Sequence, residues 1–457
     1  MSVNSFDGYP LSWRPNKSAL SQPYYLSLAA DLEQQIRSGT LLPGTQLPPQ
    51  RELADYLDLN YTTITRVYDL CRKKGLIYGV IGRGTFVAPL DTEHVTITSS
   101  DISQRCIELG SIHAFSEYSS PVENATRAVL DKGYLRRLYQ YDSPLGFPHQ
   151  LAAGKHWLAQ FGVHTDTEHC AIFSGAQNAL TVALLSLFSP GDRLAVDCYT
   201  YSNVIELARM LHLTLVPISG DNDGMLPEAL EAQCRKNRIR GVYLMPSCAN
   251  PTGISISESR RKALSELIRT YNLLVLEDDI AAWLYPDAPA PFFSLLPEQT
   301  VYICGMTKSL CPGLRVAFMA YGETLRRRIE YGLFNINIKT SSLDADIITE
   351  LILSGEAQRI IAHKQQLTQR ACSLYQNIFP EQAVNPCYYQ WLHVPHMPSD
   401  IEYQLQERGI RVYSARRFAV SDSFPQEHLR VSLCSAGDMR HLEKGLTILR
   451  TYLDELK

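Results

Sequence analysis

The stretch YICGMTKSLCPGLR, residues 302–315, carries one lysine in a loop after an apolar run, with an arginine seven residues further on. Val301 to Cys304 reads as a short buried strand. Gly305 and the Pro312-Gly313 pair punctuate the segment after it, so Lys308 falls in a loop at the strand's C-terminal end. A lone lysine after a strand is usually a surface residue. Three further stations of the same kind change that weighing.

The run Ser174-Gly175-Ala176-Gln177-Asn178-Ala179 follows the strand Ala171-Ile172-Phe173 and opens an apolar helix. Free backbone N–H groups at such a helix start suit a phosphate dianion. Ala249-Asn250-Pro251-Thr252-Gly253 follows the strand at Val242–Met245 and fixes an Asn side chain at a strand end by a turn. Glu277-Asp278-Asp279 closes the strand Leu273–Leu276, and carboxylates at a buried strand end are costly without a cation or proton nearby. All four stations lie at C-terminal strand ends, where open α/β sheets bind ligands. Together they suit pyridoxal phosphate. Lys308 would form the Schiff base. Asp278 would keep the pyridinium nitrogen protonated, which the electron sink requires. Asn250 would donate to the ring hydroxyl oxygen. Arg315 and the helix start at Gly175, Ala176 and Gln177 would bind the phosphate.

Outward from these stations, apolar runs alternate with helix-length segments from about residue 111 onward, among them Leu194–Val196, Leu213–Pro217 and Gly241–Met245. Such alternation implies a mostly parallel sheet between helices. The chain has 457 residues, 45% of them hydrophobic and 20% charged, which is globular composition with room for two or three domains. The longest apolar stretches, such as Ala179–Phe188, are far short of a bilayer span, and the N-terminus lacks the basic start and apolar run of a secretion signal. Eleven cysteines, an odd count with no Cys-x-x-Cys pair, argue against a disulfide framework and a zinc site, and the histidines show no metal-hydrolase spacing. A cytoplasmic protein without a metal is expected. The net charge of −4 excludes a generally basic, nucleic-acid-coating protein but not a local DNA-binding patch.

The constellation of Lys308, Asp278, Asn250 and Arg315 resembles the fold-type I aminotransferases over about residues 111–455. The resemblance implies that Tyr201 stacks on the cofactor, that Tyr141 reaches the phosphate of a neighbouring subunit, and that Arg430 binds a substrate α-carboxylate. A guanidinium fork fits a carboxylate bidentately. Two positions depart from the family pattern. A tyrosine usually follows the aspartate by two or three residues, where Ile280 and Ala281 stand. A hydroxyl often precedes the lysine by three residues, where Gly305 stands, although Thr307 is adjacent to the lysine. Cofactor binding looks intact while catalytic tuning looks reduced.

The first ninety residues read differently. Leu28, Leu32 and Ile36 share one face of a helix over Tyr24–Ser38, a second helix starts near Gln50 and buries Leu53, Ala54 and Leu57, and Asn60 can cap a third. That third helix, Tyr61–Lys74, turns Ile64, Val67, Tyr68 and Cys71 inward, and Leu76–Val87 reads as a hairpin with Gly82-Arg83-Gly84 at its turn. This is a winged helix-turn-helix. Its third helix would present Tyr61, Thr62, Thr63 and Arg66 to the major groove, Arg51 would face phosphate or a base edge, and Arg83 could enter a minor groove. Residues 39–51, Leu53-Ala54, Thr63–Tyr68 and Gly75–Val87 resemble the GntR-type DNA-binding domain closely. Asn60-Tyr61 stand where that family usually has Ser-Arg, so the target sequence should differ.

Both resemblances together resemble the MocR subfamily of bacterial regulators. Expected are a DNA-binding domain over 20–88, a linker over 89–110 and an aminotransferase-like effector domain over 111–457. The subfamily implies a homodimer, head to tail, that binds operator DNA and takes pyridoxal phosphate, or its adduct with an amino-acid-like effector, as its signal. Two other readings compete: a working aminotransferase that also binds DNA, and an aminotransferase whose N-terminal domain only mediates assembly. The missing tyrosine weighs against turnover.

Overall fold

A computed structural model of the chain describes residues 13–37, 40–42, 44–74, 76–80, 84–88, 106–115, 120–421 and 423–456. The chain divides into two compact units, residues 1–94 and 95–457.

In the first unit, helices α1 (Tyr24–Arg37), α2 (Gln50–Leu57) and α3 (Tyr61–Lys73) precede an antiparallel hairpin of β1 (Ile77–Val80) and β2 (Gly84–Val87). The ten apolar residues expected to face inward from the three helices are all buried. Asp58, in left-handed conformation, ends α2, and Asn60 starts α3 by accepting from the Thr62 N–H at 2.9 Å. Together they make the tight turn of the motif. Residues 44–47 add a strand-like ladder beside β2, through Leu47 N–H to Thr85 O and Val87 N–H to Thr45 O, both at 2.8 Å. Its Pro- and Gly-rich composition hides this ladder from sequence periodicity. Trp13, also unforeseen, is buried and donates from its indole to Asp31 of α1 at 2.7 Å. The expected hairpin turn at Gly82 and Arg83 lies outside the described residues.

The strands of the second unit are β3 (Ile107–Glu108), β4 (Cys170–Phe173), β5 (Arg193–Asp197), β6 (Thr214–Ile218), β7 (Gly220–Asp221), β8 (Gly224–Met225) and β9 (Ile239–Leu244). They continue with β10 (Leu274–Asp278), β11 (Thr300–Gly305), β12 (Ala317–Tyr321), β13 (Tyr389–His393), β14 (Ile410–Arg411), β15 (Tyr413–Ser414) and β16 (His428–Ser432). Seven form the main sheet in the order β4-β12-β11-β10-β9-β5-β6. Only β12 runs antiparallel to its neighbours. Alternate residues of these strands enter two different cores. Cys170, Ile172 and Phe318 pack with helices Pro148–Ala159 and Ser342–Leu353, whereas Ala171, Phe173 and Met319 pack with Ala176–Leu187 and Glu323–Ile336. Burial on both faces makes each strand a continuous apolar run.

A smaller antiparallel sheet, β13-β16-β15, forms a third core with helices Glu356–Ile378 and Met439–Glu455. Residues 107–110 correct the expected linker. Ile107 and Glu108 form β3, parallel to β14, and Leu109 is fully buried in this third core. Two residues of strand are too short to leave an alternating pattern. Residues 89–105 of the expected linker lie outside the described residues.

Candidate functional site

Two surfaces collect the residues singled out by sequence. In the first unit, Arg51, Tyr61, Thr62 and Arg66 are exposed and Thr63 is half-buried. Tyr61 stands 46% exposed. The Arg51 guanidinium lies 5.9 Å from the centre of the Tyr61 ring, and the Arg66 guanidinium 6.0 Å from that of Tyr25. Aromatic faces attract cations and limit their freedom, so both arginines are partly preorganised. Thr65 donates to the Gln50 side-chain carbonyl at 3.0 Å and ties α3 to the start of α2. Tyr25, Gln50 and Thr65 were not foreseen, because each acts on a helix other than its own. Arg83 lies outside the described residues.

In the second unit, β4, β9, β10 and β11 run in the same direction, so the segments after them share one edge of the sheet. That edge brings Gly175, Asn250, Asp278 and Lys308 to one side. Gly175, with φ of 88°, ends β4 and caps the helix Ala176–Leu187. A side chain there would be strained, and a Cβ would lie 2.7 Å from Arg315 Nη2. Arg315 itself donates from Nη1 to Thr307 Oγ1 at 3.1 Å. Arg315, Thr307 and the helix start at Gly175, Ala176 and Gln177 thus form a single corner. Tyr201 donates to Gln177 Oε1 at 3.2 Å. Burial pushes the Tyr201 hydroxyl pKa up; the Asp278 charge adds to this, and Arg430 and Arg315 oppose it.

Three carboxylates end β10, and their partners differ. Glu277 accepts from the Phe292 and Phe293 N–H groups, each at 2.8 Å. Asp279 accepts from Ser247 at 2.9 Å and Tyr302 at 3.4 Å. Asp278 accepts from the Tyr243 hydroxyl on Oδ2 at 2.8 Å, but its Oδ1 is buried without a partner. Burial raises the Asp278 carboxyl to about 7; the Tyr243 bond opposes this and neighbouring Asp279 adds to it. A buried acceptor left unpaired costs ~1–3 kcal/mol. The geometry fits a cationic N–H donor that none of the described residues supplies.

Lys308 lies on the short helix Met306–Ser309, and its Nζ donates to the Ile112 carbonyl. Burial lowers its pKa; Cys434 opposes this, and Arg430 and Arg315 add to it. Arg430, on β16, donates to Asn250 Oδ1 at 2.8 Å and to the Gly110 carbonyl at 2.6 Å. Its guanidinium sits 4.5 Å from the centre of the Phe418 ring, and its Nε is buried without a partner. Burial brings its pKa down to about 10. Because Asn250 Oδ1 is taken by Arg430, its amide nitrogen is the group left to donate.

Tyr141 joins none of these contacts and is 84% exposed. Tyr243, Gly110, Ile112 and Phe418 were not foreseen: Tyr243 sits in a strand read only as an apolar run, and the other three come from segments with no motif around them. At one of the two departures from the family pattern, a Cβ on Gly305 would lie 3.0 Å from Ala176 Cβ and 3.3 Å from Ile280 Cγ2, so a larger side chain there would crowd both neighbours.

This edge and the winged helix-turn-helix define a class, a DNA-binding motif carried on an aminotransferase-like fold. Residues 113–449 match the aminotransferase class I and II family, and residues 24–87 match the bacterial regulatory proteins of the gntR family. The chain belongs to both families and is a transcriptional regulator of the MocR type, a GntR helix-turn-helix fused to an aminotransferase-like domain. It is 35% identical to the HTH-type transcriptional regulator YdeF of Bacillus subtilis over 461 aligned positions, the whole of both chains. It is 27% identical to the vitamin B6 salvage pathway transcriptional repressor PtsJ of Salmonella typhimurium, over 89% of this chain and 93% of that one. In fold, kynurenine aminotransferase of Pyrococcus horikoshii superposes with a TM-score of 0.72 at 20% identity, over 78% of this chain and 92% of that one. No helix among the described residues is long and apolar enough to cross a membrane.

Proposed function

We propose that this regulator binds pyridoxal phosphate at the strand-end edge of its second unit and that occupancy by an amino-acid-like effector alters its hold on operator DNA. The observation that carries this reading is the unpartnered Asp278 Oδ1 in a triplet whose other two carboxylates are each satisfied by the chain. A relative named for vitamin B6 salvage supports the same ligand class.

Pyridoxal phosphate, when bound, supplies an aldehyde carbon that condenses with amines. Each residue of the edge has a part in holding it. Asp278 would accept the ring N–H and stabilise its positive charge. The Asn250 amide would donate to the ring hydroxyl oxygen. Tyr201 would lie against the ring. Arg315, Thr307 and the N–H groups after Gly175 take the phosphate, where a helix N-terminus favours negative charge. Burial leaves Lys308 more often as a neutral amine, the form that attacks a carbonyl. Arg430 offers its fork to an effector carboxylate, at the expense of its bonds to Asn250 and Gly110.

Tyr141 would act across a homodimer. Lys339 donates to the carbonyls of Gln140 and Asp142 and so ties the Tyr141 loop to the segment after helix Glu323–Ile336. Tyr331, 70% exposed, and Phe334, also exposed, lie on that helix, and Ile338, 59% exposed, follows it. Exposed apolar side chains of this kind suit burial against a second copy.

The experiment is a titration of the full-length protein with pyridoxal phosphate, followed by visible absorbance and then by binding to DNA from upstream of its own coding region. Wild type is expected to turn yellow and keep the colour through dialysis, and added amino acids should change its DNA affinity. Lys308→Ala should remain folded, lose the dialysis-resistant colour and lose the response. A wild type that stays colourless in excess cofactor overturns the reading.

A further inference from the structure

Helix Glu356–Ile378 sends one side chain beneath the loop that carries Lys308. Lys364 is 2% exposed, and its Nζ donates to the main-chain carbonyls of Lys308 at 3.1 Å and Leu310 at 2.8 Å. These carbonyls close the short helix Met306–Ser309, whose last oxygens have no partner within the helix. An ammonium is a strong donor at that end and suits the negative pole of the helix.

No carboxylate is among the charged and titratable groups that act on Lys364. Those groups are Cys311 from the same loop, Cys434 from the segment after β16, and Lys308 itself. Burial accordingly brings its ammonium down to about 8. A methionine would fill similar space without burying a charge, and buried charges replaced by apolar groups of similar volume are often neutral or stabilising. Packing alone therefore does not call for a lysine here.

We propose that Lys364 is a positioning residue for Lys308: it clamps the two carbonyls that set the course of the segment carrying the lysine. The clamp fixes where the Lys308 side chain starts and so where its amine is presented. This rests on the reading of Lys308 as the cofactor-linking amine.

Three full-length variants test the clamp. Lys364→Met removes the donor, Lys364→Gln keeps an N–H donor without charge, and Lys364→Arg keeps a charged donor. The first readout uses cofactor-free protein: acylation of Lys308 by acetic anhydride at fixed pH, quantified on its own peptide by mass spectrometry. The second is the rate of pyridoxal phosphate uptake, and the third is thermal unfolding. In the Met variant Lys308 labelling should depart from wild type and uptake should slow severalfold, while the Gln and Arg variants stay near wild type in both. If the Met variant unfolds at lower temperature while labelling and uptake match wild type, Lys364 is only structural and the proposal is overturned. If wild type takes up no cofactor at all, the reading of the site fails instead, and the Lys308 labelling still decides whether Lys364 acts on Lys308.

Discussion

Asp278 shows how a single atom can carry functional information. Its flanking carboxylates were equally visible in the sequence, and nothing in Glu277-Asp278-Asp279 ranks them by itself. The ranking comes from where β10 places each side chain: one against the Phe292 and Phe293 N–H groups, one beside Ser247 and Tyr302, and one facing Tyr243 with an oxygen to spare. That placement also sets the sign of its pH effect. A carboxyl raised to about 7 in the fold disfavours the folded state as pH climbs from the ordinary carboxylate range through that value. Asp278→Asn should therefore stabilise the cofactor-free protein at about pH 8, by on the order of 1–3 kcal/mol, and by clearly less at about pH 5, where the fold keeps the acid neutral and only the ionisation of the unfolded chain opposes folding. The same variant should bind pyridoxal phosphate more weakly. Thermal unfolding at the two pH values and a cofactor titration check both signs; equal stabilisation at both would mean that the Asp278 carboxyl is not raised in the fold. Lys308, Asp278, Asn250 and Arg315 were legible because each comes after a strand end within a local motif. Tyr243 and Lys364 were not, because a side chain that works through another residue's carboxylate or carbonyl leaves no mark near it in sequence.

Among the elements, α3 was the most legible. Its cap, its inward face and its exposed face all come from one 3.6-residue period and an Asn before it. Asn60→Ala should cost the first unit about 1 kcal/mol by leaving an N-terminal N–H without its acceptor. Chemical denaturation followed in this unit reads that loss, and an unchanged midpoint would show the cap to be idle. Arg66→Ala should weaken DNA binding while cofactor uptake stays at the wild-type level, because Arg66 and the strand-end edge belong to different units. Parallel mobility-shift and absorbance titrations test this, and joint loss of both would mean the units do not fold independently. Elements without a period were missed. The ladder of residues 44–47 and the two-residue strand β3 are held by main-chain bonds to distant segments, which side-chain patterns do not report. Strand β12 reverses direction within an otherwise parallel sheet, and buried apolar runs read alike in either sense.

For the whole molecule, exposed apolar residues on and after the helix Glu323–Ile336 bear on assembly. Exposed Ile338 precedes Lys339, which donates to the Tyr141 loop, and exposed Tyr331 lies on the helix before it. A paired Tyr331→Asp and Ile338→Asp substitution should shift the protein toward monomer in sedimentation velocity and loosen its grip on pyridoxal phosphate. Unchanged sedimentation would place the subunit contact elsewhere. Two families matched on separate stretches of one chain, 24–87 and 113–449, so each half was readable alone.

The short stretch at 107–112 stands at the head of the second unit, just downstream of the first. Two of its main-chain oxygens, on Gly110 and Ile112, receive the donors of Arg430 and Lys308. An effector carboxylate and a cofactor aldehyde would compete for those same two donors. Each capture strands one peptide oxygen, a loss of ~1–3 kcal/mol unless water or a backbone shift replaces the donor. Ligand occupancy would therefore register first in the main chain of residues 107–112, like a hand closing on the end of a rope.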